Sequence, residues 1–304
     1  MTTEFLPFGD RLDHAITEKN SVVCVGLDPR LAQLPPALRP SVADDFSAVA
    51  SAFQTFCIGI IDAVADHVGV VKPQAAFFEE LGPPGMVAMG NVIAHARKKN
   101  LLVILDGKRN DIGPTAQAYA NAYLGASSPW KSDALTVSPY LGRDSIEPFV
   151  SRCDETRSGI FVLVKTSNPG GGFLQDQIAA GLSVYRHVAG LVNELNTPRV
   201  GKSGYGPIGA VVGATYPEQL RELRAAMPTT PILIPGFGAQ GGAAIDVAQG
   251  FDAQGRGAIV NSSRHIIFAY ERPEFQEKFG PSRWQDAAQA AAIEMNEQLH
   301  AVRA

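Results

Sequence analysis

A chain of 304 residues, 45% hydrophobic and 18% charged, describes a well-filled globular core and leaves room for one large domain or two ordinary ones. A net charge of −4 without any long basic run gives no electrostatic reason to expect nucleic acid, although an anionic small molecule stays open because local charge decides that. Cys24, Cys57 and Cys153 are too few and too far apart for a disulfide framework or a CxxC zinc site, and read as reduced packing thiols of a cytoplasmic protein.

The N-terminus, MTTEFLPFGD, is acidic where a signal peptide needs positive charge, and no segment reaches about 18 uninterrupted apolar residues, so no membrane span is expected. Residues 8–19 place Leu12, Ala15 and Ile16 on one helical face. The β-branched run 21–27 predicts a strand that Pro29 ends. A Pro- and Leu-rich loop at 30–40 reads as an insertion. Ser41 then predicts an N-cap, with Asp44 three residues on, for a helix to about residue 66. The run 68–72 is a second strand, ending in Lys72; 85–99 is a helix; 101–106 is the third strand.

A helix is expected from about Asp111 to Tyr123, strands at 134–137 and 159–164, and a helix at 176–195. The segment 196–207, NTPRVGKSGYGP, lacks periodicity and predicts a projecting insertion. Strands follow at 208–212, 231–234 and 258–261, with helices at 217–226 and 282–302. Eight short apolar strands alternating with helical patterns predict an α/β chain folded as one (β/α)8 barrel domain spanning 1–304. An open doubly wound sheet is the alternative, but no GxGxxG opens a first βα unit.

The chemistry concentrates in LLVILDGKRNDIGPT, residues 101–115. In an extended strand Leu102, Ile104, Asp106 and Lys108 fall on one side, so an apolar row ends in an Asp and a Lys. Unlike charges about 5 Å apart attract by roughly 3 kcal/mol at an effective dielectric near 20. In a barrel, reactive groups sit at the C-terminal strand ends. That end collects Asp28 after strand one, Lys72 after strand two, Asp106 and Lys108 after strand three, Ser167 after strand five, Gln240 after strand seven and Arg264 after strand eight.

Singly, each has an ordinary explanation. Asp28 before Pro29 suits a turn, Lys72 a snorkelling surface position, Asp111 a helix N-terminus and Arg264 a helix start. Their joint arrival at one end is what points to a site. PGFGAQGG, including Gly238, and NSSRH, with Ser263 and Arg264, supply free N–H groups and one guanidinium for a phosphate, unless the glycines only make a tight turn. His14, His67, His95, His187, His265 and His300 form no HxH or HxxxH pair, so no metal is expected. No Ser-His-Asp or Cys-His motif stands out. A Schiff-base lysine stays open, since Lys72, Lys108 and Lys165 all lie near strand ends.

Asp106-Gly107-Lys108-Arg109-Asn110-Asp111-Ile112 spells D-x-K-x-x-D-I, which resembles the signature of the orotidine 5′-phosphate decarboxylases, and DGKRNDIG resembles their longer bacterial subgroup. GLDPR, VVKPQAAFFE, VKTSNPGG, IPGFGAQGG and IVNSSRH match that family in order, so the resemblance covers nearly the whole barrel. Ribulose-phosphate epimerases need metal ligands missing here, whereas hexulose-phosphate synthases share the D-x-K-x-x-D core, which alone would not discriminate.

The resemblance implies cofactor-independent decarboxylation of orotidine 5′-phosphate to UMP by a homodimer with shared sites. It implies catalytic Lys72, Asp106, Lys108 and Asp111, with Asp111 and Ile112 reaching the neighbouring subunit's pocket. Asp28 and Lys72 match ribose ligands, and Thr115 a ribose contact across the dimer. Ser167 matches the pyrimidine contact, Gln240 a bridge between pyrimidine and phosphate, and Arg264 the phosphate clamp. A related sugar-phosphate lyase or aldolase, or a non-catalytic nucleotide-binding barrel, is the alternative.

Overall fold

The computed structural model describes residues 6–42, 44–236 and 244–303. Eight strands run β1 Val23–Leu27, β2 Val70–Pro73, β3 Leu102–Arg109, β4 Ala134–Val137, β5 Gly159–Lys165, β6 Ile208–Val212, β7 Ile232–Ile234 and β8 Ala258–Ser262. Each neighbours the next, and β8 returns to β1, which closes a barrel. The pairings are parallel where their register is set, with Gly26 opposite Lys72, Val71 opposite Val103 and Thr136 opposite Phe161. β1, β2, β4, β6, β7 and β8 are buried along their whole length, the condition under which near-continuous Val, Ile and Ala runs replace alternation. The α/β barrel expected from the sequence is the fold.

The chain gathers into two compact units, Ala15–Gly107 with Ser262–Gln298, and Met1–His14 with Lys108–Asn261 and Leu299–Ala304. In the first unit, Phe46–Val64 has the length and mean hydropathy, 1.5, of a membrane-crossing helix. It buries Phe53, Phe56, Cys57, Ile60 and Ile61. Gln54 on its other side accepts from Asn91, and Asp62 bonds His95 and Lys99. That division is the pattern of a core helix. Phe56 stacks on Phe268 and tilts against Trp284, so the C-terminal helix Trp284–Arg303 seals the same core. The 30–40 loop is two 3-10 turns, Leu31–Gln33 and Pro36–Leu38; Leu34 is fully buried, and the Gln33 carbonyl accepts from Tyr270.

Several expectations need correction. The N-cap of Phe46–Val64 is Asp45, whose carboxylate accepts from the N–H groups of Ser47 and Ala48, both at 3.0 Å; Ser41 lies in the loop before it. A helix at Arg143–Thr156 goes unpredicted because Pro148 interrupts its sequence, though Ile146, Phe149, Val150 and Cys153 keep helical spacing. The helix expected over 176–195 is Val184–Asn196; before it, Ile178–Ala179 and Leu182–Ser183 pair as an antiparallel ribbon turned by Ala180 and Gly181, both at positive φ.

The segment 196–207 does not project. Asp10 accepts from the N–H groups of Lys202 (3.2 Å) and Ser203 (2.8 Å), Asn196 caps the Ile208 N–H, and buried Tyr205 donates to Asp252 at 2.7 Å. It is tied down before β6, at the barrel end whose residues serve stability.

Candidate active site

In the unit built on Ala15–Gly107, β2 and β3 deliver two opposite charges to one point. Lys72 Nζ donates to Asp106 Oδ2 at 2.7 Å, with both side chains almost excluded from solvent. Gln74 Nε2 donates to the same oxygen at 3.1 Å, and the Ala75 N–H donates to the Asp106 carbonyl. Gln74 is a site residue the sequence reading misses, although VVKPQ contains it. Burial alone would push the Lys72 ammonium down, but the charges of Asp106 and Asp28 and the Asp106 hydrogen bond outweigh it and hold it above the ordinary lysine range. Burial pushes the neighbouring Cys24 thiol up to about 12, which leaves it a packing group. Cys24, Cys57 and Cys153 are all buried and free.

Removing the carboxylate strands the cation. Asp106→Asn should lower stability by about 3–5 kcal/mol, read as a fall in the denaturant midpoint at pH 7. The folded Lys72 value lies above the unfolded 10.5, so the pair's contribution is complete below pH 10.5 and is lost only as pH rises through the folded value. The wild-type contribution should therefore stay constant from pH 6 to 9. The stranded Lys72 of Asp106→Asn sheds its proton more easily, so the gap between the two proteins should narrow as pH rises. A gap independent of pH would mean that Asp106 is not what keeps Lys72 charged.

Asp28 stands just past β1, partly buried, and its Oδ1 is excluded from solvent without a hydrogen-bond donor among the described residues. An acceptor in that condition suits a ligand hydroxyl. Ser263 and Arg264 follow β8, with Arg264 exposed at the start of the short helix Arg264–Ile267. Gly238 and Gln240 lie outside the described residues.

In the other unit, Lys108 is exposed and has φ of +44°, a left-handed conformation costing of order 1–2 kcal/mol for a residue with a Cβ. The regular extended backbone expected along β3 therefore departs from strand geometry at Lys108. The Lys108 N–H donates to Thr136 Oγ1 at 2.9 Å, and the Arg109 carbonyl accepts from the Ser138 N–H at 3.0 Å. Arg109 lies over the rings of Tyr119 and Tyr123.

Asp111 accepts from the N–H of its neighbour Ile112 at 2.9 Å. Ile112 and Thr115 are exposed around the start of Gly113–Tyr123. Of the array expected from the sequence, Lys72 and Asp106 are joined directly, while Asp111, among the described residues, makes no ion pair with a lysine.

Ser167 follows β5 on a segment fixed from both sides. Thr166 donates its N–H to Gln175 Oε1 at 3.0 Å and accepts from Gln175 Nε2 at 2.7 Å. Buried Lys165 donates to Asp176 Oδ1 at 2.5 Å beneath the rings of Tyr185 and Tyr216. Attack on a carbonyl needs a free amine, so this engaged ammonium is poorly set for a Schiff base. Gly213, just after β6, lets Ser167 approach: a Cβ there would lie 2.9 Å from that of Ser167. Among the described residues no group of three His, Cys, Asp or Glu side chains could hold a metal ion.

Comparison with known proteins gives consistent relatives. The pattern of the orotidine 5′-phosphate decarboxylase / HUMPS family matches residues 21–278. An orotidine 5′-phosphate decarboxylase of Rhodopirellula baltica is 62% identical over 97% of this chain and 99% of its own length. One from Haloarcula marismortui is 43% identical over 97% and 99%. The solved OMP decarboxylase of Leishmania donovani superposes with a TM-score of 0.75 at 32% identity, covering 98% of this chain and 99% of that one.

Proposed function

The chain belongs to the orotidine 5′-phosphate decarboxylase / HUMPS family, and from that membership we propose that it converts orotidine 5′-phosphate to UMP and CO2 without a cofactor. The observation that carries this reading is the buried Lys72–Asp106 pair on adjacent strands, with Lys108 two residues further along β3.

Loss of CO2 from C6 leaves an electron pair with no adjacent carbonyl to accept it, so the carbanion must be stabilised by fixed charge and then protonated. Lys108 supplies both, as a cation near C6 and as the acid that delivers the proton there. Asp106 keeps Lys72 charged and placed. A carboxylate beside the substrate carboxylate adds ground-state stress.

Asp28 and Lys72 take the ribose, and Ser167 the pyrimidine. Gly238, Gln240, Ser263 and Arg264 hold the phosphate, whose binding energy is expressed at the reacting carbon. Residues 1–304 act as one catalytic domain, a reading supported by a family match that runs from residue 21 to residue 278.

We further propose a cytoplasmic homodimer in which Asp111, Ile112 and Thr115 serve the partner's pocket. Its support is apolar exposure after two adjacent strands: Ile112 is 54% exposed after β3, and Tyr140 74% after β4.

The test is the loss of orotidine 5′-phosphate absorbance in the presence of EDTA, with UMP identified as product. No turnover, or turnover only with added metal, would overturn the reading. The clamp has its own test. Arg264→Ala removes a charge-assisted contact worth about 1.5–3 kcal/mol, so KM for orotidine 5′-phosphate should rise roughly 10- to 150-fold, while turnover of orotidine lacking the phosphate stays unchanged.

A further inference from the structure

We propose that Thr136 is a positioning residue for Lys108, an inference that rests on the decarboxylase reading above. Lys108 carries its side chain on a backbone that L-residues rarely adopt, at φ +44°, and such a conformation persists only where its surroundings hold it. On the far side of Lys108, the Arg109 carbonyl is tied to the Ser138 N–H of β4. At Lys108 itself the N–H goes instead to a side chain, Thr136 Oγ1, at 2.9 Å.

Thr136 is suited to this work. It is 1% exposed in the middle of β4, with Phe161 of β5 opposite it in the parallel ladder, so its backbone has little freedom. Its β-branched side chain has few rotamers, which fixes the hydroxyl oxygen relative to the strand. Its strand neighbours Ala134, Leu135 and Val137 carry no side-chain hydrogen-bonding group, so Thr136 is the residue of β4 that can offer the Lys108 N–H a side-chain acceptor. The hydroxyl therefore sets where the Lys108 backbone turns, and through it where the ammonium reaches the C6 carbon. Thr136 need not touch substrate.

The experiment compares wild type, Thr136→Val and Thr136→Ser. Valine keeps the shape and removes the acceptor; serine keeps the acceptor. Misplacement of a catalytic group by about 1 Å costs on the order of 100-fold, so Thr136→Val should lose about 10- to 100-fold in kcat. KM for orotidine 5′-phosphate and the Kd for UMP should change less than about 3-fold, because the binding groups are elsewhere. Exchange of the UMP C6 hydrogen with D2O, the protonation step run backwards, should fall by the same factor as kcat. Thr136→Ser should recover most of both.

A Thr136→Val protein with wild-type kcat, a loss shared equally by UMP binding, or a serine variant as slow as the valine one would overturn the inference. If Thr136→Val does not fold, Thr136→Cys, similar in size and a weaker acceptor, takes its place with the same two readouts. Wild-type protein without turnover would overturn the decarboxylase reading and this inference together. An active wild type with an unimpaired valine variant overturns this inference alone.

Discussion

Lys108→Ala is expected to lower kcat by at least about 10⁴-fold, with the far-UV spectrum, the unfolding midpoint and the Kd for UMP close to wild type. Two effects combine in that number. A placed general acid contributes about 10²- to 10⁴-fold, and a fixed charge at the developing carbanion a further 10²- to 10³-fold. Both belong to one ammonium group, so both go with it. Stability should barely change, because Lys108 is exposed and alanine inherits the same left-handed backbone without making it worse. Single-turnover decarboxylation with saturating substrate separates the chemical step from binding. A variant retaining a tenth of the wild-type rate would remove Lys108 from the mechanism.

The second large effect concerns the dimer. Lys108→Ala and Asp111→Asn proteins, each nearly inactive alone, should regain activity when their protomers are mixed and allowed to exchange. If Asp111 serves the neighbour's pocket, a mixed dimer has one pocket carrying both defects and one carrying neither. At equal amounts half the dimers are mixed, so about one quarter of the pockets are intact and activity should approach that fraction of wild type. The exposure of Ile112, next to an Asp111 that accepts from the Ile112 N–H, motivates the experiment. A mixture no more active than its parents would place Asp111 in its own subunit's site.

Much of this was readable from residue order alone. Strand runs such as 134–137 and 208–212 coincide with the observed strands because buried parallel strands are short, continuous and β-branched. Helices 8–19 and 217–226 were equally plain from spacing. The helix at Arg143–Thr156 was hidden by Pro148, and 196–207 looked like a free loop because the partners that anchor it, Asp10 and Thr229, are remote in sequence or lie beyond it.

At the site, the charged motif announced Asp106, and Lys72 stood out as the lysine that ends the second strand. Alternation along the strand offered Lys108 as the partner of Asp106, and the direct Lys72–Asp106 bond is seen only once the strands are side by side. The parts that no spacing rule reveals are the neutral ones: Gln74 on the Asp106 oxygen, Gly213 beneath Ser167, and Thr136 on the Lys108 amide. Each is an ordinary residue whose importance comes from which strand lies next to it.

The backbone at Lys108 also separates fitness from sturdiness. A glycine there would sit in the left-handed region without steric cost and would relieve roughly 1 kcal/mol, offset in part by its freer unfolded chain. Selection for heat tolerance alone would thus favour erasing the one side chain proposed to deliver the proton. Engineering that ranks variants by melting temperature would drift toward a sturdier barrel with no turnover, and this position should be held fixed before any such campaign begins.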